Sequence, residues 1–146
     1  MATDMIKLSD AQTLRVVASS PAVLELESTW SPGGKTPPTH RHPRQHEHFE
    51  VLAGHLTVEL DGARPRILRP GETIDVPPGT LHRMWNAGTE PARASWRVSP
   101  ALRTEAMFRF IDQGMTPIRG VQLLWTFRHE FRLGRPKVFA ARATNP

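Results

Sequence analysis

Four of the seven histidines fall between Gly34 and Gly54, in the run Gly-Lys-Thr-Pro-Pro-Thr-His-Arg-His-Pro-Arg-Gln-His-Glu-His-Phe-Glu-Val-Leu-Ala-Gly. His40 and His42 are two apart, so on an extended chain their rings point to one face. Glu47 follows, and a later stretch brings Gly71, Pro77, Gly79, His82 and Asn86. Two same-face imidazoles, a carboxylate and a later imidazole are the ingredients of a divalent-metal site. Neutral imidazoles suit zinc, iron, nickel, copper or cobalt, and one carboxylate offsets part of the charge. Such a set leaves open positions on a five- or six-coordinate ion, where substrate or water can bind and be polarised.

These residues need strands to hold them. Pro37-Pro38 favours an extended approach to His40. In the next segment Glu47, Phe49 and Val51 share one parity and His46, His48 and Glu50 the other. Glu50 is costly to bury unpaired, so the first set is placed inside and the second outside. Gln45 shares the parity of Glu47, and its amide oxygen is a candidate additional ligand or a supporting hydrogen bond. A rival reading keeps His46 with His40 and His42 in a four-histidine site. Ala22–Trp30, Leu56–Leu60 and Ala94–Val98 alternate apolar and polar residues as half-buried strands do. Asp61-Gly62 signals a hairpin. Pro77-Pro78-Gly79-Thr80 is a rigid turn that aims a strand in which His82 and Met84 share a face, while Asn86 is expected to tie down a turn. Residues 1–10 are expected to fray or form an edge.

Gly34-x5-His40-x-His42-x4-Glu47-x6-Gly54 matches the first motif of the cupins, and Gly71-x5-Pro77-x-Gly79-x2-His82-x3-Asn86 matches the second. The chain therefore resembles a single-domain cupin, with both motifs in order across residues 30–98. The resemblance implies an all-β fold, a double-stranded β-helix or jelly-roll barrel. It also implies that His40, His42, Glu47 and His82 are the metal ligands. Cupins span enzymes, sugar binders and regulators, so the fold alone does not name an activity.

After Pro100 the period changes. Thr104 to Ile111 carries apolar residues at near-helical spacing up to Gly114, and a second such run goes from Pro117 through Val121, Leu124, Trp125 and Phe131 to Gly134. Two short C-terminal helices are expected over residues 101–134, as a lid on the barrel mouth or as a packing or dimer pair.

The 146 residues are read as one domain, residues 1–146, with enough chain for a core. With no cysteine, disulfides and thiolate sites are excluded. The net charge of +5 is mostly arginine, scattered among apolar residues, which does not form a nucleic-acid footprint. No signal-peptide pattern or membrane-length apolar run is present, so a cytoplasmic location is expected, with no membrane or nucleic-acid partner.

The inferred pocket walls are apolar and aromatic: Trp30, Phe49, Met84 and Trp96, with Phe108 as a further candidate. They suit a flat, oxygen-rich aromatic molecule better than a free sugar. One divalent ion per chain is expected, zinc first, with iron, copper, nickel or manganese as alternatives. The leading expectation is a metal-dependent enzyme resembling cupin-type aromatic polyketide cyclases, acting by aldol-type cyclisation. A quercetinase-like or diketone-cleaving dioxygenase and a non-catalytic small-molecule binder are the alternatives. No catalytic residue beyond the ligands is singled out, and a homodimer is expected.

Overall fold

A computed structural model describes residues 5–135. Residues 1–4, part of the expected frayed segment, and residues 136–146 of the expected domain lie outside this range. Strands form where the alternation is strict. They run β1 (Met5–Lys7), β2 (Gln12–Ser19), β3 (Leu24–Trp30), β4 (His40–Arg41), β5 (His46–Ala53), β6 (Leu56–Leu60), β7 (Arg66–Leu68), β8 (Thr73–Val76), β9 (His82–Trp85) and β10 (Ala92–Ser99). Two helices, α1 (Thr104–Asp112) and α2 (Pro117–Thr126), and a last short strand, β11 (Arg132–Leu133), complete the described chain.

The strands build two antiparallel sheets that face each other as a jelly-roll barrel. One runs β1-β2-β3-β10-β5-β8 and the other β11-β4-β9-β6-β7. Their inward faces share the core. Leu24, Leu26 and Trp30 of β3, Phe49 and Val51 of β5, and Ala94, Trp96 and Val98 of β10 are all buried. Asp61 and Gly62 both have positive φ, as a tight primed hairpin turn requires. Gly54, in the turn from β5 to β6 where the chain changes sheets, has φ 69° and lies so close to the Pro91 carbonyl that a Cβ would sit 2.3 Å from it.

Residues 5–7 do form an edge strand, pinned by the buried Ile6 opposite Leu14. α1 buries Met107 and Phe108 against the barrel. α2 begins with Thr116 as its N-cap, the hydroxyl accepting from the Arg119 amide, followed by Pro117.

The second helical run departs from expectation. It stops at Thr126 rather than continuing through Phe131. Phe127 turns inward and is buried, and the Glu130 and Phe131 amides both donate to its carbonyl in a tight turn. The chain then enters β11 against β4. Ile118, Val121 and Trp125 of α2 point to solvent, each about 70% exposed.

Arginines scattered in sequence also meet in space. Arg132 sits directly opposite Arg41 across the β11–β4 ladder. Partial burial and the charges of nearby Arg44, Arg128 and Arg132 hold His129 below its ordinary pKa.

Candidate metal centre

The barrel's two sheets bring the sequence-predicted residues together from opposite sides. His40 on β4 is the cross-strand partner of His82 on β9, within the five-stranded sheet. His42 follows β4 by one residue. Glu47 reaches across from β5 of the six-stranded sheet, where its neighbours are Val76 and Val98. Its Oε1 lies 3.0 Å from His42 Nε2 and 2.9 Å from His82 Nε2. The ring nitrogens of His40, His42 and His82 gather within 4.8 Å of one another, a spacing that could hold one metal ion.

Each imidazole is oriented by its other nitrogen. His40 Nδ1 lies 3.3 Å from the Pro38 carbonyl, His42 Nδ1 lies 2.7 Å from the Glu130 carbonyl, and His82 Nδ1 lies 2.9 Å from the Thr80 carbonyl. A carbonyl only accepts, so Nδ1 carries the proton in all three rings, leaving the Nε2 lone pairs to face the centre. His42 Nε2 and Glu47 Oε1 are buried without a hydrogen bond, although they are only 3.0 Å apart. Orphaned buried polar atoms are rare unless something else satisfies them. Three imidazoles whose ring nitrogens gather at one place, with the Glu47 carboxylate against two of them, fit a divalent ion.

The environment acts differently on each group. Burial pushes His40 down to about 3, the neighbouring imidazoles of His82 and His42 disfavour a second proton there as well, and it stands as a neutral donor. For His42 burial also lowers the pKa. The Glu47 carboxylate, by charge and contact, and the Glu130 carbonyl outweigh it and raise it. Burial pushes Glu47 up, but His42 and His82 hold it below the usual carboxylate range. Glu47 therefore stays anionic while only 1% exposed. The Trp96 indole N–H donates to its Oε2 at 2.7 Å, which leaves Oε1 turned towards the histidines.

Above the cluster opens a cavity of about 150 Å³. Trp30, Phe49, Met84 and Trp96 of the strands and Phe108 of α1 line it. Phe49 and Trp96 stack with centroids 5.1 Å apart, and Phe108 tilts against Trp96. Met107, Phe108 and Ile111 of α1 and Leu123 of α2 also line it, so both helices contribute to its wall. Among the described lining residues, the titratable ones are His40, His42, Glu47 and His82 alone.

Other residues singled out in the sequence lie around this centre rather than in it. Gln45 does not face the cavity. Its amide nitrogen donates to the Pro100 and Ala101 carbonyls and to Thr104 Oγ1, fastening the start of β5 to the start of α1, the supporting role of its two expected ones, while its Oε1 is buried without a hydrogen bond. His46 and His48 lie on the outer face, both against Asp75, so the four-histidine alternative is not assembled. The segment after α2 reaches the site, which the sequence reading missed: Phe131 stacks on His40 at 4.9 Å. Asn86 ties down its turn through the Trp30 and Glu90 carbonyls and the Gly88 amide.

The cupin-domain family profile matches residues 26–98, and the chain belongs to that family. Among curated proteins, the probable oxidoreductase yanE of Aspergillus niger is 46% identical over 68 residues, 45% of this chain and 26% of that protein. Oxalate oxidase 1 of Hordeum vulgare is 37% identical over 70 residues, 43% of this chain and 34% of that protein. The matched region is thus about a quarter to a third of these relatives' length. Among solved structures, KdgF from Halomonas sp. aligns with TM-score 0.60 and 26% identity, covering 66% of this chain and 87% of that one. The polyketide cyclase RemF from Streptomyces resistomycificus aligns with TM-score 0.56 and 23% identity, over 62% and 66% of the two chains, a likeness of fold. No described helix is long and apolar enough to cross a membrane.

Proposed function

We propose that the protein is a metal-dependent enzyme acting on an aromatic or polyketide-like, oxygen-rich small molecule, with His40, His42, His82 and Glu47 as the ligands. The observation that carries this reading is the convergence of Nε2 atoms, each fixed through its Nδ1, at the base of an apolar aromatic cavity. A divalent ion there would supply Lewis-acid polarisation of a substrate oxygen and, if redox-active, reactivity towards dioxygen. The protein's own part is positional. Phe49, Trp96 and Phe108 form stacking surfaces for a planar ring system, while α1 and α2 exclude water from the mouth. Trp96 holds Glu47 in place through its indole N–H. The leading chemistry is aldol-type cyclisation of a poly-β-carbonyl chain, with zinc as the first choice of metal.

A second reading, oxidation of the same class of molecule with iron or copper, has its own support. The curated relatives carry the names oxidoreductase and oxalate oxidase. The described cavity also offers no separate acid or base beside the four cluster residues. The proposal includes a homodimer, for which Ile118, Val121 and Trp125 of α2 supply an exposed apolar stripe. The deciding experiment strips the metal with chelator and restores zinc, iron or copper singly, with poly-β-carbonyl and polyphenolic substrates, in air and under nitrogen. Cyclisation predicts turnover with zinc that is indifferent to oxygen. Strict oxygen dependence, restored by iron or copper but not zinc, overturns cyclisation in favour of oxidation. No turnover of any substrate with any metal leaves only a binding role.

A further inference from the structure

Two of the three histidines are also contacted from outside the cupin motifs. Glu130 accepts from His42 Nδ1 through its backbone carbonyl. Phe131 lies stacked on His40, with 25° between the rings. Leu133 pairs with His40 across the β11–β4 ladder, and the Gly134 amide donates to the Thr39 carbonyl. Residues 127–134 thus form a strap along β4, fixing His40 and His42. His82 relies instead on the local Thr80 carbonyl.

The strap is fastened at one point. The Glu130 side chain folds inward, 3% exposed, and its Oε1 lies 3.3 Å from Arg103 Nε. Its other oxygen is buried with no hydrogen-bond partner. A buried carboxylate with one cation is strongly destabilised when that cation is removed. Arg103 is the residue that precedes α1. Its guanidinium also donates to the Thr126 carbonyl at the end of α2 and lies over the Phe127 ring at 5.1 Å. One side chain therefore joins the start of α1, the end of α2 and the strap. The same two helices supply Met107, Phe108, Ile111 and Leu123 to the cavity wall.

We propose that Glu130 is a positioning residue for the metal centre and that the Arg103–Glu130 pair is a latch coupling closure of the helical lid to the orientation of His42 and His40. The proposal rests on the metal-centre reading above. With the latch closed, the Glu130 carbonyl holds His42 in its metal-facing tautomer. With it open, the lid and both rings loosen together, although every ligand atom is still present.

The test uses the full chain loaded with Co(II), read by its visible absorption band and by its release rate into excess chelator. Glu130→Gln keeps the backbone carbonyl and the side-chain volume, and Arg103→Gln removes the cation. Both are expected to bind Co(II) stoichiometrically, shift the band and release the ion about tenfold faster or more, the range seen when outer partners of ligating histidines are removed. Arg109→Ala breaks the exposed Arg109–Glu105 pair on the same helix and should stay within about twofold of the parent rate. If Arg103→Gln does not fold, Glu130→Gln decides alone. Latch variants with the parent's band and release rate overturn the proposal, even if their melting temperature falls. A parent protein that takes up no Co(II) overturns the metal reading and the latch with it, a separate outcome.

Discussion

Glu47 and Asp75 are each a carboxylate beside two imidazoles, Glu47 on the inner face of β5 and Asp75 on the outer face of its neighbour β8. Glu47 contacts His42 and His82 at 3.0 and 2.9 Å, and Asp75 contacts His46 and His48 at 3.2 and 2.8 Å. The ingredients match and the surroundings do not. Glu47 is 1% exposed at the bottom of an apolar cavity, while the Asp75 side chain is 57% exposed on the outer sheet. Water and salt screen the outer cluster. The inner rings also have their Nδ1 atoms committed to carbonyls, so their Nε2 atoms have one place to point. His48 has given its Nδ1 to Asp75 itself. Residue type therefore marks both clusters, and only burial with imposed orientation turns one into a candidate metal centre.

The largest effect that tests this contrast is loss of the metal. His40→Ala and His82→Ala should each abolish stoichiometric metal binding, with far-ultraviolet circular dichroism still that of a folded β protein. Both rings sit on one ladder pair, and neither has a substitute donor nearby among the described residues. Full occupancy by metal analysis in both variants would sink the assignment.

Next comes the carboxylate. Glu47→Gln should weaken affinity about tenfold or more, while His46→Ala should leave it within about twofold. The amide oxygen introduced by Glu47→Gln can still accept from Trp96, so the change isolates the negative charge from the packing. If competition with a chromophoric chelator shows the reverse order, the inward and outward faces of β5 have been exchanged.

Gln45 separates a ligand from a fastener. Gln45→Leu should cost about 1–3 kcal/mol by denaturant titration, because the Pro100 and Ala101 carbonyls lose their donor. Metal stoichiometry should not change. Loss of metal without loss of stability would restore Gln45 as a ligand.

Much of this was legible in the sequence because strands repeat every two residues. Parity alone sorts Glu47, Phe49 and Val51 from His46 and His48, and the costly burial of Glu50 fixes which set goes inward. The Gly- and Pro-anchored motifs place His82 opposite His40. The strap was not legible. Phe131 continues the helical apolar spacing of α2, and nothing local shows that Phe127 is drawn into the core. Arg103 and Glu130 are 27 residues apart with no shared motif, so only the folded chain brings them to 3.3 Å. The sequence left two roles open for Gln45 for a related reason. Parity says which face a side chain leaves from, but not whether its amide turns to the histidines or to the start of α1.

The smallest predicted effect is on the outer cluster, and it checks the contrast from the other side. His48 meets Asp75 Oδ1 with its side chain 35% exposed, and His46 reaches the same oxygen at 42% exposure. Each contact exchanges a bond to water for a bond to protein and also costs side-chain freedom, so its net contribution is small. His48→Ala and Asp75→Asn should each shift stability by no more than about 0.5 kcal/mol, and the double variant should show coupling of about the same size or less. Metal content should be that of the parent. Raising the salt concentration should shrink even this coupling, because the pair is open to solvent. A coupling well above about 1 kcal/mol, or partial loss of bound metal in His48→Ala, would mean that the outer cluster is linked through β5 to Glu47. The two faces of the strand could then no longer be treated as independent.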